Sequence, residues 1–481
     1  MRQDRLFIWI IAAYFAAHTV LRTVLGGSFE VDEAEMFVMA QEVHLGYGPQ
    51  APLYNWIQAG AFALFGANTF AVAAAKNLLL FITYALFFDG LRRVLPCQTA
   101  VLGTLALLLL PNVSWEGQRA GSHSIAMLAT MAATFWVMAR QTEVPKPWHP
   151  IALGLALGLG GLAKFNFWLF PLTLFLSALT VPEIRARLMW RTLWQSGLVA
   201  ALILIAPMAW MVLHSDQTMA SAYKFYYPPK YETLPTWLAG LVEYGVQTLA
   251  ALALLLMVLI GARLAQGRAA LRFGPAMPMA LWLMRAGMIG LGLGAVAVVG
   301  FGVTDVQPRW LLPMLVPLSI GLMIWVTQSL GPRTKRAILG VCAALAVLIL
   351  AAMADTRLRG AGSDSMRVDV LAQAIAADLP GGPVAVISGN YYFAGNLKYH
   401  RPDWQALAPL PNRVPAPGTV AVVLVGGDMV ARSEAVLAEH GIKPDAIAKV
   451  IQHSATLPYR FEDVKTIDVP YAIVELKNGA E

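Results

Sequence analysis

Long apolar runs separated by short clusters of charge set the pattern of this chain. Leu6–Leu25, Ala100–Leu110, Leu198–Leu213 and Ile338–Met353 carry almost no charge. A helix needs about 20 such residues to cross a hydrocarbon layer of ~30 Å. Hydropathy accordingly predicts about eleven membrane-spanning helices, over roughly 6–25, 70–91, 98–111, 122–140, 150–163, 165–181, 193–213, 236–261, 279–302, 310–330 and 337–354. The first run follows Met1-Arg-Gln-Asp-Arg5 and lacks a small-residue cleavage site before Gly26-Gly27-Ser28, so it is expected to stay as a span rather than leave as a signal peptide.

After Ala354 the pattern changes. Val368–Asp378 and Met429–His440 have helical periodicity, Pro383–Ser388 and Thr419–Val425 read as buried strands, and Thr466–Leu476 is β-rich. Between the first two spans, residues 26–69 form a polar loop with Glu30, Asp32, Glu33, Glu35 and Glu42, then Gly46-Tyr-Gly-Pro-Gln-Ala-Pro52. Leu53–Phe65 follows as a helical pattern with aromatics on one side, which suits a helix lying along the membrane interface. The expected fold is a membrane all-α bundle of about eleven transmembrane helices (residues 1–354) whose first external loop carries interfacial helices. A small C-terminal α/β domain (residues 355–481) completes it.

Composition agrees with lipid as the main solvent: 58% of the residues are hydrophobic and 13% charged, too apolar for one water-excluded core. The net charge of +7 resides in the membrane part, because the tail after Asp355 is slightly acidic. That excess is topological and points away from nucleic acid. Arg92/Arg93, Arg140/Lys146, Arg185/Arg187/Arg191, Arg263/Arg268/Arg272 and Arg333/Lys335/Arg336 all fall on the side of Arg2/Arg5. The positive-inside bias makes that side cytoplasmic and, with eleven spans, puts the first loop and the tail domain on the opposite face. Cys97 and Cys342 support neither a disulfide framework nor a cysteine metal site, and the chain has no P-loop and no GxGxxG.

Charges at a membrane boundary are costly and mark function more often than surface charges do. On the external side these are Asp32, Glu33 and Glu35; Glu116, Arg119 and His123; Lys164 between two apolar runs; His214, Asp216, Lys224 and Lys230; and Asp305 with Arg309. Carboxylates facing Lys and Arg suit a transfer from a phosphate-bearing donor to a hydroxyl acceptor. The carboxylate takes the acceptor proton while cations stabilise the departing phosphate. Asp32 is the preferred base and Glu33 its nearest rival. Arg309 offers a bidentate fork to phosphate oxygens beside Trp310, whereas the competing role for Arg309 and Lys164 is anchoring at the interface. His123, between Ser122 and Ser124, also reads as a hydrogen-bonded structural histidine. A divalent metal on Asp32, Glu33 and a distant histidine stays open, although no metal-ligand spacing is present.

Phe29-Glu-Val-Asp-Glu-Ala-Glu35, Gly46-Tyr-Gly-Pro-Gln-Ala-Pro-Leu-Tyr-Asn-Trp56, Gly161-Leu-Ala-Lys-Phe-Asn166, Pro308-Arg-Trp-Leu-Leu-Pro313 and Ser388-Gly-Asn-Tyr-Tyr-Phe-Ala-Gly-Asn-Leu397 together resemble the bacterial GT-C glycosyltransferases. That superfamily takes in the protein O-mannosyltransferases, the lipid A aminoarabinose transferase and the rhizobial galacturonosyltransferases. The resemblance implies an inverting transfer of one sugar from a polyprenyl-phosphate donor to an envelope glycolipid or glycan, such as lipid A or lipopolysaccharide. The reaction would take place on the periplasmic face of the inner membrane and require no cofactor. It makes Asp32, with Glu33 beside it, the catalytic carboxylates. Where the aminoarabinose transferases carry Lys-Pro-Pro, with the lysine on the donor phosphate, this chain reads Gln50-Ala51-Pro52. Lys164, Arg309 and Lys224 are the substitute phosphate ligands, and Gln50, Tyr54, Arg119, His123 and Asn166 the expected substrate contacts. Many relatives carry an aspartate near the position of His123. The rival readings are a lipid or sugar transporter or flippase, against which stand the missing mid-span acids and mirrored halves, and a non-catalytic envelope assembly protein.

Overall fold

The computed structural model describes residues 2–226, 230–231, 233–267, 274–360, 362–407, 415, 419–424 and 429–477. Arg268, Arg272 and Val425, read above as loop cations and a strand end, lie outside the described residues. The helices longer than a single turn are α1 (Arg2–Leu25), α2 (Val31–Met39), α3 (Leu53–Phe65), α4 (Thr69–Arg92), α5 (Cys97–Leu105), α6 (Ser122–Glu143), α7 (His149–Ala163), α8 (Leu169–Leu179), α9 (Leu193–Leu213), α10 (Thr236–Leu264), α11 (Pro278–Phe301), α12 (Leu312–Gln328), α13 (Pro332–Arg359), α14 (Val368–Asp378), α15 (Tyr391–His400) and α16 (Met429–Glu439).

Each of the eleven predicted apolar stretches contains a helix. Among the described residues, seven helices are long and apolar enough to cross a membrane: α1, α4, α6, α9, α10, α11 and α13. The segments His149–Ala163, Phe165–Leu179 and Leu312–Gln328 are shorter but apolar. The remaining stretch is α5, which gives way after Leu105 to successive turns through Leu110. Prolines open α7, α11 and α12, where the missing N–H costs nothing. Gly302 closes α11 in a left-handed conformation (φ 64°).

The chain forms two compact units. The first comprises Met1–His18, Leu45–Tyr54 and Lys76–Ile349, and the second Thr19–His44, Asn55–Ala75 and Leu350–Glu481. Within the first, small residues let helices approach closely, since lipid offers no hydrophobic drive between them. A Cβ on Gly154 of α7 would lie 2.6 Å from the Ser196 carbonyl of α9, and one on Gly287 of α11 would lie 2.5 Å from Leu318 of α12.

The second unit contains a five-stranded sheet of β1 (Val384–Ser388), β2 (Gln405–Ala406), β3 (Val420–Leu424), β4 (Ile447–Tyr459) and β5 (Glu462–Leu476), ordered β2-β1-β3-β5-β4. β1 runs parallel to β2 and β3, while β5 is antiparallel to β3 and β4. Side chains alternate across the sheet as a period of two requires. Val384, Val386 and Val422 pack with Leu371, Ile375 and Leu397 of α14 and α15, whereas Ala385, Ile387 and Val423 pack with Leu437 of α16.

Candidate active site

The acid-bearing segment is a helix, where the sequence suggested a polar loop. In α2 the side chains from Glu33 to Met39 are all buried. Phe29 and Phe37 pack together (centroids 4.6 Å apart), Phe37 meets Phe62 of α3 at 4.8 Å, and Phe29 meets Tyr399 of α15 at 4.9 Å. Gly395 lets α15 lie directly on α2, since a Cβ there would stand 2.0 Å from the Ala34 carbonyl oxygen. Apolar burial and a glycine contact thus hold a helix that carries three acids in its first two turns.

Those acids differ in surroundings. Asp32 is half-buried. Glu33 is 1% exposed and accepts a 3.1 Å hydrogen bond from Arg22 Nη2. Arg22 also donates to the Gly26 and Ser28 carbonyls and lies over the Phe29 ring, while Arg357 donates to the Gly26 carbonyl at 3.0 Å. Glu30 accepts from Ser363 at 3.0 Å, and Glu35 is buried. The buried Arg22–Glu33 pair therefore anchors the first turn of α2, in which Asp32 is the more accessible of the two acids.

In the first unit, five of the expected site segments are joined by a chain of contacts. The buried Tyr54 ring stands 5.9 Å from that of His123, at the start of α6. Its neighbour Ser124 accepts a 2.8 Å bond from Lys164 Nζ. Lys164 is half-buried and extended (φ −166°, ψ 143°) at the break between α7 and the short turn Phe165–Trp168. Asn166 in that turn donates to the Trp310 carbonyl at 3.0 Å, which brings in the turn Pro308–Trp310 with the exposed Arg309. Trp310 packs on Phe225 at 4.9 Å, adjacent to Lys224, which is exposed over the Tyr223 ring. Three candidate cations and three candidate substrate contacts thus share one connected patch.

Arg119 pairs loosely with Glu116 at 3.8 Å, and its carbonyl and that of Gln118 accept from the buried Lys76. Gln50 closes a tight turn on Tyr47 around Gly48, whose φ of 63° favours glycine. Lys230 is bonded to Glu243 and lies 3.7 Å from Asp305. Glu243 holds the Lys230 ammonium above the usual lysine range, so this cation is already committed.

Sequence reading missed Arg22, Lys76 and Glu243, all charges inside predicted spans and each legible by that signal alone. Glu243 lies near the start of α10, eight residues into its predicted span, so it is not one of the mid-span acids expected to be missing. It also missed Asn55 and Gln58 of α3, which are 1% and 0% exposed.

Comparison with known proteins places the chain in a family. The family model described as dolichyl-phosphate-mannose-protein mannosyltransferase matches residues 49–211. The lipopolysaccharide core galacturonosyltransferase RgtA of Rhizobium johnstonii is 31% identical, with 94% of this chain and 93% of the relative covered. RgtB of the same organism is 29% identical, covering 83% and 82%. The crystal structure of ArnT from Cupriavidus metallidurans bound to undecaprenyl phosphate superposes with a TM-score of 0.60 at 14% identity over 97% of both chains, a likeness of fold. With near-complete coverage by RgtA and the ArnT-like helical bundle with its small sheet domain, the chain belongs to the GT-C glycosyltransferases and is a multi-span membrane glycosyltransferase.

Proposed function

We propose that the protein transfers a single uronic acid, of the galacturonosyl type, from a polyprenyl-phosphate carrier to a lipopolysaccharide-type glycolipid on the periplasmic face of the bacterial inner membrane. The observation that carries this reading is the 31% identity with RgtA across nearly the whole of both chains. ArnT, a neighbour by fold, binds undecaprenyl phosphate, which supports a lipid-linked donor. The distribution of loop cations supports a cytoplasmic N-terminus, with the acid-bearing segment and residues 355–481 on the periplasmic side.

In this reading the acceptor hydroxyl gives its proton to Asp32 as its oxygen attacks the anomeric carbon. The bond from that carbon to the phosphate oxygen breaks on the opposite face, and polyprenyl phosphate leaves with the electron pair, so the configuration inverts. Lys164, Arg309 and Lys224 receive the phosphate charge, and Gln50, Tyr54, Arg119, His123 and Asn166 line the substrates. Glu33, engaged by Arg22, supports α2 and leaves proton transfer to Asp32. No divalent metal is assigned a step.

The test is transfer from undecaprenyl-phosphate galacturonate to a lipopolysaccharide core acceptor by the full-length protein in proteoliposomes. Asp32→Asn should lower kcat by about 10²–10⁴ with donor affinity retained. Arg309→Ala should instead weaken donor binding by roughly 1.5–3 kcal/mol. An active Asp32→Asn protein would remove Asp32 from the chemistry.

A further inference from the structure

Helix α3 is inside out. Its apolar end, with Leu64 at 78% exposure and Phe65 at 51%, faces outward, whereas Asn55 and Gln58 are fully buried. A helix in water shows the opposite arrangement, and polar side chains turned inward from a helix whose exposed end is apolar mark a polar interior or a substrate path. Asn55 and Gln58 are three residues apart and so share one face, which Phe62 continues four residues later. Phe62 packs on Phe37 of α2, the helix that carries Asp32.

Both ends of both amides, Nδ2 and Oδ1 of Asn55 and Nε2 and Oε1 of Gln58, have no hydrogen-bond partner among the described residues. Two adjacent buried amides with all four polar atoms unanswered are costly in a core. Leucine and methionine would fill nearly the same space without that cost. Each amide presents a donor and an acceptor without charge, a match for the paired donor and acceptor character of sugar hydroxyls rather than for a phosphate, which would call for cations.

We propose that Asn55 and Gln58 are a sugar-binding pair that hydrogen-bonds ring hydroxyls of a substrate in the proposed transfer. This rests on the glycosyltransferase reading above and adds two residues that the sequence motifs do not single out for binding. The shared chemistry, a hydroxyl-bearing ring, is offered by both the transferred sugar and the acceptor.

The experiment compares the full-length wild type with Asn55→Leu and Gln58→Met, using undecaprenyl-phosphate galacturonate and a lipopolysaccharide core acceptor. Each variant should keep or raise the melting temperature while kcat/KM falls about tenfold or more. A rise confined to the donor KM assigns the pair to the transferred sugar, and one confined to the acceptor KM assigns it to the acceptor. A fall in kcat/KM of less than tenfold, or a loss that tracks a lower melting temperature, overturns the proposal and makes the amides structural. Melting shifts produced by each substrate read binding without turnover. If the wild type binds but transfers nothing, the transferase reading fails, and the pair stands or falls on whether those shifts shrink in the variants. Should neither substrate shift the wild type, the pair fails as well.

Discussion

The side-chain amide of Asn396 satisfies both backbone polar groups of Phe29: the Phe29 N–H donates to Oδ1 at 2.8 Å and Nδ2 donates to the Phe29 carbonyl at 2.9 Å. Gln41 does the same for Ala406, at 3.0 Å and 2.8 Å. Each amide occupies the place of a neighbouring strand, one reaching from α15 to the entry of α2 and the other from the exit of α2 to β2. Asn396→Leu should leave two buried backbone groups unpaired and destabilise the protein by roughly 2–4 kcal/mol. Thermal melting of the full-length protein in detergent measures it, and an unchanged midpoint would show that Phe29 finds other partners.

Gly395→Ala tests the helix contact itself. A Cβ 2.0 Å from the Ala34 carbonyl must displace backbone rather than a flexible side chain. The expected cost is about 3 kcal/mol, at the upper end of the usual range for overpacking. Limited proteolysis should open residues 26–44 sooner than in the wild type, and equal protection would contradict the contact.

The Arg22–Glu33 pair is buried on both sides, with side-chain exposures of 7% and 2%. Removing one partner strands a charge, so Arg22→Met alone should destabilise by about 3–5 kcal/mol, whereas Arg22→Met with Glu33→Leu should lose less than the sum of the single changes. A strictly additive double mutant would mean that the two do not interact energetically.

Outside the membrane, pH sensitivity should appear at Asp369, where the bidentate Arg367 guanidinium (2.7 and 2.6 Å) holds the carboxyl below the usual carboxylate range. A depressed folded value stabilises above the unfolded value and loses that contribution as pH falls through the folded one. Asp369→Asn should therefore lower the stability near neutrality by about 0.5–1 kcal/mol for so exposed a pair, read as a modestly lower melting temperature. The difference from wild type should vanish in acid; a constant difference across pH would point to packing instead.

The membrane helices were legible because lipid leaves apolar runs as the main folding signal, and α14 was delimited by periodicity at both ends. The strand β4 escaped notice because it is an edge strand with little burial, its Gln452, His453 and Ser454 giving no strict alternation. Helix α2 escaped because three acids in four residues read as solvated, while Glu33 is compensated by Arg22 of α1 and the preceding Glu30 by Ser363 of the tail, partners that local pattern cannot reveal. The same holds for the candidate site. Lys164 stood out as a charge between apolar runs, but its tie through Asn166 to Trp310 joins positions 144 residues apart in the chain.

The absence of a side chain at Gly395 ties two distant stretches of gene to one another. Because α15 rests on the main chain of α2, neither stretch is free to drift while the other stays fixed. A hybrid assembled from two relatives with its seam just ahead of the tail would mismatch this surface. The exchange should keep its activity only when residues 19–44 and 55–75 travel with residues 350–481.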